Sequence, residues 1–125
     1  MSLFNKLLGN ASEIDANTLT AKYQQLLVGN EVVELGFKLV RDTFIFTDKR
    51  LILIDIQGLT GNKREYLSIP YKSISRFSIE TAGTFDLDAE LKIWISSEQQ
   101  ASISKQFNKK IDIYKVQQFL ASKVF

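Results

Sequence analysis

A chain of 125 residues with one Pro, no His and no Cys has room for one folded domain and cannot build a Ser-His-Asp site, a Cys-His site or the usual zinc sites. With 45% apolar and 24% charged residues it is too apolar for disorder, and folding should bury roughly two thirds of the unfolded surface. Sixteen basic residues against fourteen acidic ones leave a net charge of +2, short of the one-sided balance of a nucleic-acid binder, so no nucleic-acid partner is expected.

No apolar run reaches the roughly 18 residues of a bilayer span. The stretch Met1–Gly9 lacks a basic start followed by a long apolar core. A cytoplasmic location is therefore expected, and the lack of Cys suits a reducing compartment.

In chain order, a short apolar turn over Leu3–Leu8 precedes a helix capped by Asp15. There Leu19, Tyr23, Leu26 and Leu27 follow the i, i+4, i+7, i+8 pattern, and Gly29-Asn30 ends the helix. Residues 1–30 thus read as an N-terminal helical extension and 31–125 as the main domain.

Seven strands are predicted: Glu31–Leu39, Arg41–Thr47, Arg50–Ile56, Arg64–Ile69, Arg76–Thr81, Asp86–Ile95 and Ala101–Phe107. Thr47-Asp48-Lys49 makes a tight hairpin connection, and residues 58–62 make a longer one with glycine at both ends. Pro70 should end its strand before one helical turn. A last helix starts at Asp112, with Ile111 and Val116 placed as a hydrophobic staple and Ile113, Val116, Leu120 and Val124 as its apolar stripe. That stripe should close the open end of the β-layer.

The sixth strand alternates plainly, with Leu87, Ala89, Leu91, Ile93 and Ile95 on one face. The second and third do not. Phe44 and Phe46 oppose Ile45, while Ile52, Ile54 and Ile56 oppose Leu51 and Leu53, so both strands are apolar on both faces. Burying one exposed Leu gains roughly 1.5–3 kcal/mol, which calls for a second cover over Ile45, Leu51, Leu53 and Trp94. Two covers are available: the N-terminal helix folded back, or another subunit or partner protein. These four residues are the candidate oligomer or partner interface.

The remaining chemical signals are weak. Asp86, Asp88 and Glu90 share a strand face, which reads as an exposed polar surface and holds too few ligands to predict a metal. Gly58-x-x-Gly61-Asn62-Lys63 lacks the spacing of a phosphate-binding loop and reads as a turn. Phe37, Phe44, Phe46, Phe77 and Phe107 read as core. No catalytic residue, metal or cofactor is expected.

Taken together, the runs Arg41-Asp-Thr-Phe-Ile-Phe-Thr-Asp-Lys-Arg50-Leu-Ile-Leu-Ile-Asp55, Tyr66-Leu-Ser-Ile-Pro-Tyr-Lys-Ser-Ile74, Phe77-Ser-Ile-Glu-Thr-Ala-Gly83 and Phe85-Asp-Leu-Asp-Ala-Glu-Leu-Lys-Ile-Trp94 closely resemble the bacterial pleckstrin-homology (PH) domain family. The likeness covers almost the whole chain. It implies a mainly β fold with helices: a partly open barrel of seven antiparallel strands in two near-orthogonal sheets, capped by the C-terminal helix. It also implies a ring-forming homo-oligomer rather than an enzyme. Phosphoinositide-binding relatives carry several Lys and Arg residues around the first strand connection, whereas here that connection is Leu39-Val40-Arg41-Asp42 with Lys38 beside it.

Two functions are expected from different classes. One is a non-enzymatic scaffold or adaptor that self-associates and arrays weak sites for a protein partner. The other is a peripheral membrane module held on anionic lipid by Lys49, Arg50, Lys63 and Arg64, each cation contributing about 1 kcal/mol near the surface.

Overall fold

A computed structural model describes residues 12–58, 61–81 and 88–125. The expected turn over Leu3–Leu8, together with Asp86 and Leu87 of the sixth predicted strand, lies outside the described residues. The chain divides into two compact units, Met1–Ile69 and Pro70–Phe125.

The first unit is a five-stranded antiparallel sheet in the order β1 (Ser12–Glu13), β2 (Val33–Lys38), β3 (Thr43–Thr47), β4 (Arg50–Gln57), β5 (Lys63–Pro70). Four of these strands match the predicted bounds to within two residues at each end. The two-residue β1 was not expected; it pairs Ser12 with Lys38 and Glu13 with Phe37 along the edge of β2. Gly58 and Gly61 both have positive φ, 81° and 70°, as the turn after β4 requires of residues without a Cβ.

Helix α1 (Ala16–Lys22) begins where the Asp15 carboxylate accepts a hydrogen bond from the Thr18 amide at 3.2 Å. It is shorter than predicted. The chain leaves the α-helix at Tyr23 and passes through a 3-10 turn, Gln24–Leu26. Tyr23, Leu26 and Leu27 nevertheless stay on the apolar side and pack with Leu19, Val33, Ile45, Ile52 and Ile54 into one cluster. A seven-residue helix has little stability alone. Its hold on the sheet is the reason it forms.

The docking is close at Gly36, where an added Cβ would run into Leu19 Cδ1 and sit 3.4 Å from the Phe44 carbonyl oxygen. On the opposite face Phe37, Phe44, Phe46, Leu51 and Leu53 are buried. There Phe44 and Phe46 stack at 6.3 Å, and Phe37 meets Phe46 edge-on at 6.4 Å.

The second unit is an antiparallel sheet of β6 (Ile74–Glu80), β7 (Ala89–Ile95) and β8 (Ile103–Phe107), followed by α2 (Ile113–Val124). Pro70 closes β5 and the 3-10 turn Tyr71–Ser73 follows it. In β7, Ala89, Leu91 and Ile93 are buried while their neighbours reach solvent. Of the described residues in the predicted strand, Asp88 alone lies outside β7. Asp112 caps α2 by accepting from the amides of Tyr114 and Lys115 at 3.1 and 3.3 Å, and Ile111, Ile113, Val116 and Leu120 are buried. Phe77, expected in the core, is only partly buried and stacks on Phe125 at 5.7 Å.

Candidate functional site

Strand register corrects the grouping of the expected interface residues. The tight turn pairs Phe46 with Leu51, Ile45 with Ile52 and Phe44 with Leu53. Side chains directly opposite in a ladder share a face, so Ile45 lies with Ile52 and Ile54, whereas Leu51 and Leu53 lie with Phe44 and Phe46 on the other side. Of the two covers considered, α1 is the one found over Ile45. Leu51 and Leu53 are 0% and 4% exposed within a single chain and offer no surface. Trp94 belongs to the second unit, where it donates its indole N–H to the Gln99 carbonyl at 3.1 Å and stacks under Arg76 at 4.5 Å.

Arg50 is likewise not a free loop cation. Its Nε donates to Glu31 Oε2 at 2.9 Å and its Nη2 to Glu31 Oε1 at 3.0 Å, a bidentate pair. The same guanidinium donates to the Leu26 carbonyl and to Ser68 Oγ. Glu31 is buried and also accepts from Thr47 Oγ1 at 2.6 Å and from the Val28 amide at 3.1 Å. The Arg50 hydrogen bonds, opposed by burial and reinforced by Thr47 and Val28, hold the Glu31 carboxyl down at about 2. Glu31 in turn raises the Arg50 pKa. Each atom of this knot is spent on tying the 3-10 turn to the ends of β3, β4 and β5, so its role is structural.

Lys49, Lys63 and Arg64 are exposed, but they do not share one place. Lys49 sits in the turn before β4, and Lys63 opens β5 after the turn that follows β4. Eight residues of extended strand separate those turns by about 23 Å, well beyond the ~8 Å screening length at physiological salt.

What the first unit does present is a groove that sequence reasoning missed. Ser68 bonds Arg50 on the α1 side of the sheet, and by strand alternation Tyr66 and Arg64 face the same side. Helix α1 and its 3-10 turn cover β2, β3 and β4 and stop short of β5. The uncovered strip forms a hollow of about 380 Å³ lined by Lys22, Tyr23, Gln25, Leu26, Arg64 and Tyr66. A second hollow of about 220 Å³ adjoins it, shares Lys22, Tyr23 and Arg64, and reaches Lys38 and Thr43 at the end of the strands. Neither is lined by a carboxylate. The signal in the sequence was the exposed strand face Arg64-x-Tyr66, but nothing there placed α1 beside it.

In the second unit a smaller hollow of about 180 Å³ is lined by Glu80, Asp88 and Glu90 among others. Glu90 is engaged by Lys92 at 3.7 Å and by Ser104 at 2.7 Å. Among the described residues no group of three acidic side chains is arranged to hold a metal ion, and no helix is long and apolar enough to cross a membrane.

Comparison with known proteins places this geometry. A family profile described as bacterial PH domain matches residues 2–124. The uncharacterized protein YjqA of Bacillus subtilis is 56% identical over 122 residues, 98% of each chain. A Shewanella loihica protein of known structure, described as having a pleckstrin-homology domain, is 44% identical with a TM-score of 0.82 and covers 94% of this chain and 99% of its own. A pleckstrin homology domain from Shewanella amazonensis is 48% identical with a TM-score of 0.78 over 99% of both chains. The mainly β architecture, two antiparallel sheets followed by a C-terminal helix, is the one those structures share.

Proposed function

The chain belongs to the bacterial PH domain family, and from that premise we propose that it is a non-catalytic scaffold that self-associates and offers a weak protein-binding site on each copy. The observation that carries this reading is the groove beside α1: a strip of sheet face left open, with two tyrosines, one leucine and unopposed cations. Partial cover of a sheet by a short helix leaves a surface that one chain does not fill, and several such surfaces in one assembly turn weak contacts into avidity. In this reading the protein works in the cytoplasm.

Self-association is what the family likeness implies. The apolarity of β3 and β4 no longer motivates it, because both faces are buried in one chain. Among the described residues, the apolar side chains left for it are Val28, Val32 and Val40 in the first unit and Tyr114 and Phe125 in the second, each more than half exposed.

Size-exclusion chromatography with light scattering over a hundredfold dilution tests the assembly. A mass several times 14.3 kDa that persists on dilution is expected. A monomer at every concentration would remove the scaffold reading. The membrane alternative retains only Lys63 and Arg64 as adjacent cations, and co-sedimentation with anionic vesicles that falls with salt would favour it.

A further inference from the structure

We propose that the groove between α1 and β5 binds an extended acidic peptide segment of a partner protein, with an aromatic or branched apolar side chain between its carboxylates. This rests on the binding-module reading above and names the partner's chemistry.

The argument is one of charge and shape. Lys22, Arg64 and Lys38 run along the two joined hollows, and no Asp or Glu lines either. Among the described residues none of the three is in an ion pair; Lys22 Nζ lies 5.4 Å from the centroid of the Tyr23 ring. Residues 1–11 and 59–60, the remainder of this unit, contain no Asp or Glu that could neutralise them. Three like charges around one concavity raise the local concentration of an anion and repel a basic ligand.

The apolar features sit at one end. Tyr66 is 47% exposed, and Tyr23 and Leu26 line the same larger hollow. Tyrosine offers a large contact area at low entropic cost, and Arg64 presents a planar fork matched to a carboxylate. A ligand that answers every part of this surface is long enough to reach from Tyr66 towards Lys38, anionic at intervals and apolar in between. A polypeptide strand whose every second side chain faces the groove meets that description, with the carboxylates and the apolar side chain spaced two residues apart.

The test uses the intact protein and a panel of acetylated, amidated heptapeptides of the form Glu-Ser-X-Ser-Glu-Ser-Glu, with X drawn from Leu, Phe and Tyr, so that the carboxylates and X share one face of an extended strand. Their Gln counterparts and vesicles of phosphatidylserine and phosphatidylcholine complete the set. Binding is followed by amide chemical shifts. The inference expects at least one acidic peptide to move the signals of Lys22, Tyr23, Leu26, Arg64 and Tyr66, to bind at least tenfold more tightly than its Gln counterpart, and to weaken as salt rises.

Arg64→Glu and Lys22→Glu should each cut that affinity at least fivefold, while Lys72→Glu in the second unit leaves it unchanged. Equal binding of the Gln peptides would overturn the acidic assignment and leave the protein-binding reading standing. No shift in the groove with any peptide at millimolar concentration would overturn the inference, and if the vesicles bind instead the protein-binding reading falls with it.

Discussion

β4 and β5 are neighbours in one sheet and share a face, yet that face is closed over β4 and open over β5. Above β4, Leu19 of α1 packs with Ile52 and Ile54, and with Ile45 of the neighbouring β3; above β5, Arg64 and Tyr66 meet a groove. The difference teaches where stability and recognition are divided in this unit. Substitutions on the closed side should cost folding free energy, and those on the open side should cost almost none.

Leu19→Ala breaks the comparison most severely. It deletes the side chain that fills the notch at Gly36, and a loss of about 3 kcal/mol is expected from urea denaturation. Glu31→Gln comes next, at about 2 kcal/mol, because it leaves a partly buried Arg50 without its carboxylate. This substitution carries a pH signature. The Glu31 carboxyl lies at about 2 in the folded chain against 4.5 ordinarily, so its stabilisation is full above 4.5 and is lost as pH falls towards 2. The urea midpoint of the parent chain should therefore fall over that window more steeply than that of Glu31→Gln.

Gly36→Ala should cost about 1–2 kcal/mol, since the new methyl displaces Leu19 rather than filling a void. Tyr66→Ser, at the open end of the scale, should change stability by no more than about 0.5 kcal/mol. A larger effect at Tyr66 would mean that the open side is in fact part of the core and would erase the distinction.

Much of this arrangement was legible in the residues. The caps at Asp15 and Asp112, the alternation of β7 and the turn glycines each follow from local chemistry that one segment carries by itself. The face of Ile45 was harder to read because β3 and β4 are apolar on both sides, so alternation alone left parity open. The clue was the hairpin: counting back from Thr47-Asp48-Lys49-Arg50 puts Phe46 opposite Leu51 and Ile45 opposite Ile52. Arg50 was misread for another reason. Its partner Glu31 stands 19 residues away, and no spacing rule connects a hairpin cation to a carboxylate on a different element. β1 is two polar residues with no periodic signal, and the groove depends on where α1 ends relative to β5.

The shortness of α1 has a consequence for motion. With seven residues and one fully buried anchor, the helix can leave the sheet without unfolding the strands beneath it. Amides of Leu19–Tyr23 should then exchange with solvent sooner than those of β3 and β4. One wall of the groove thus exists only while the helix is seated. Any ligand that needs that wall is linked to the seating equilibrium, and at tenfold excess over its dissociation constant it would deepen the seated state by about 1.4 kcal/mol.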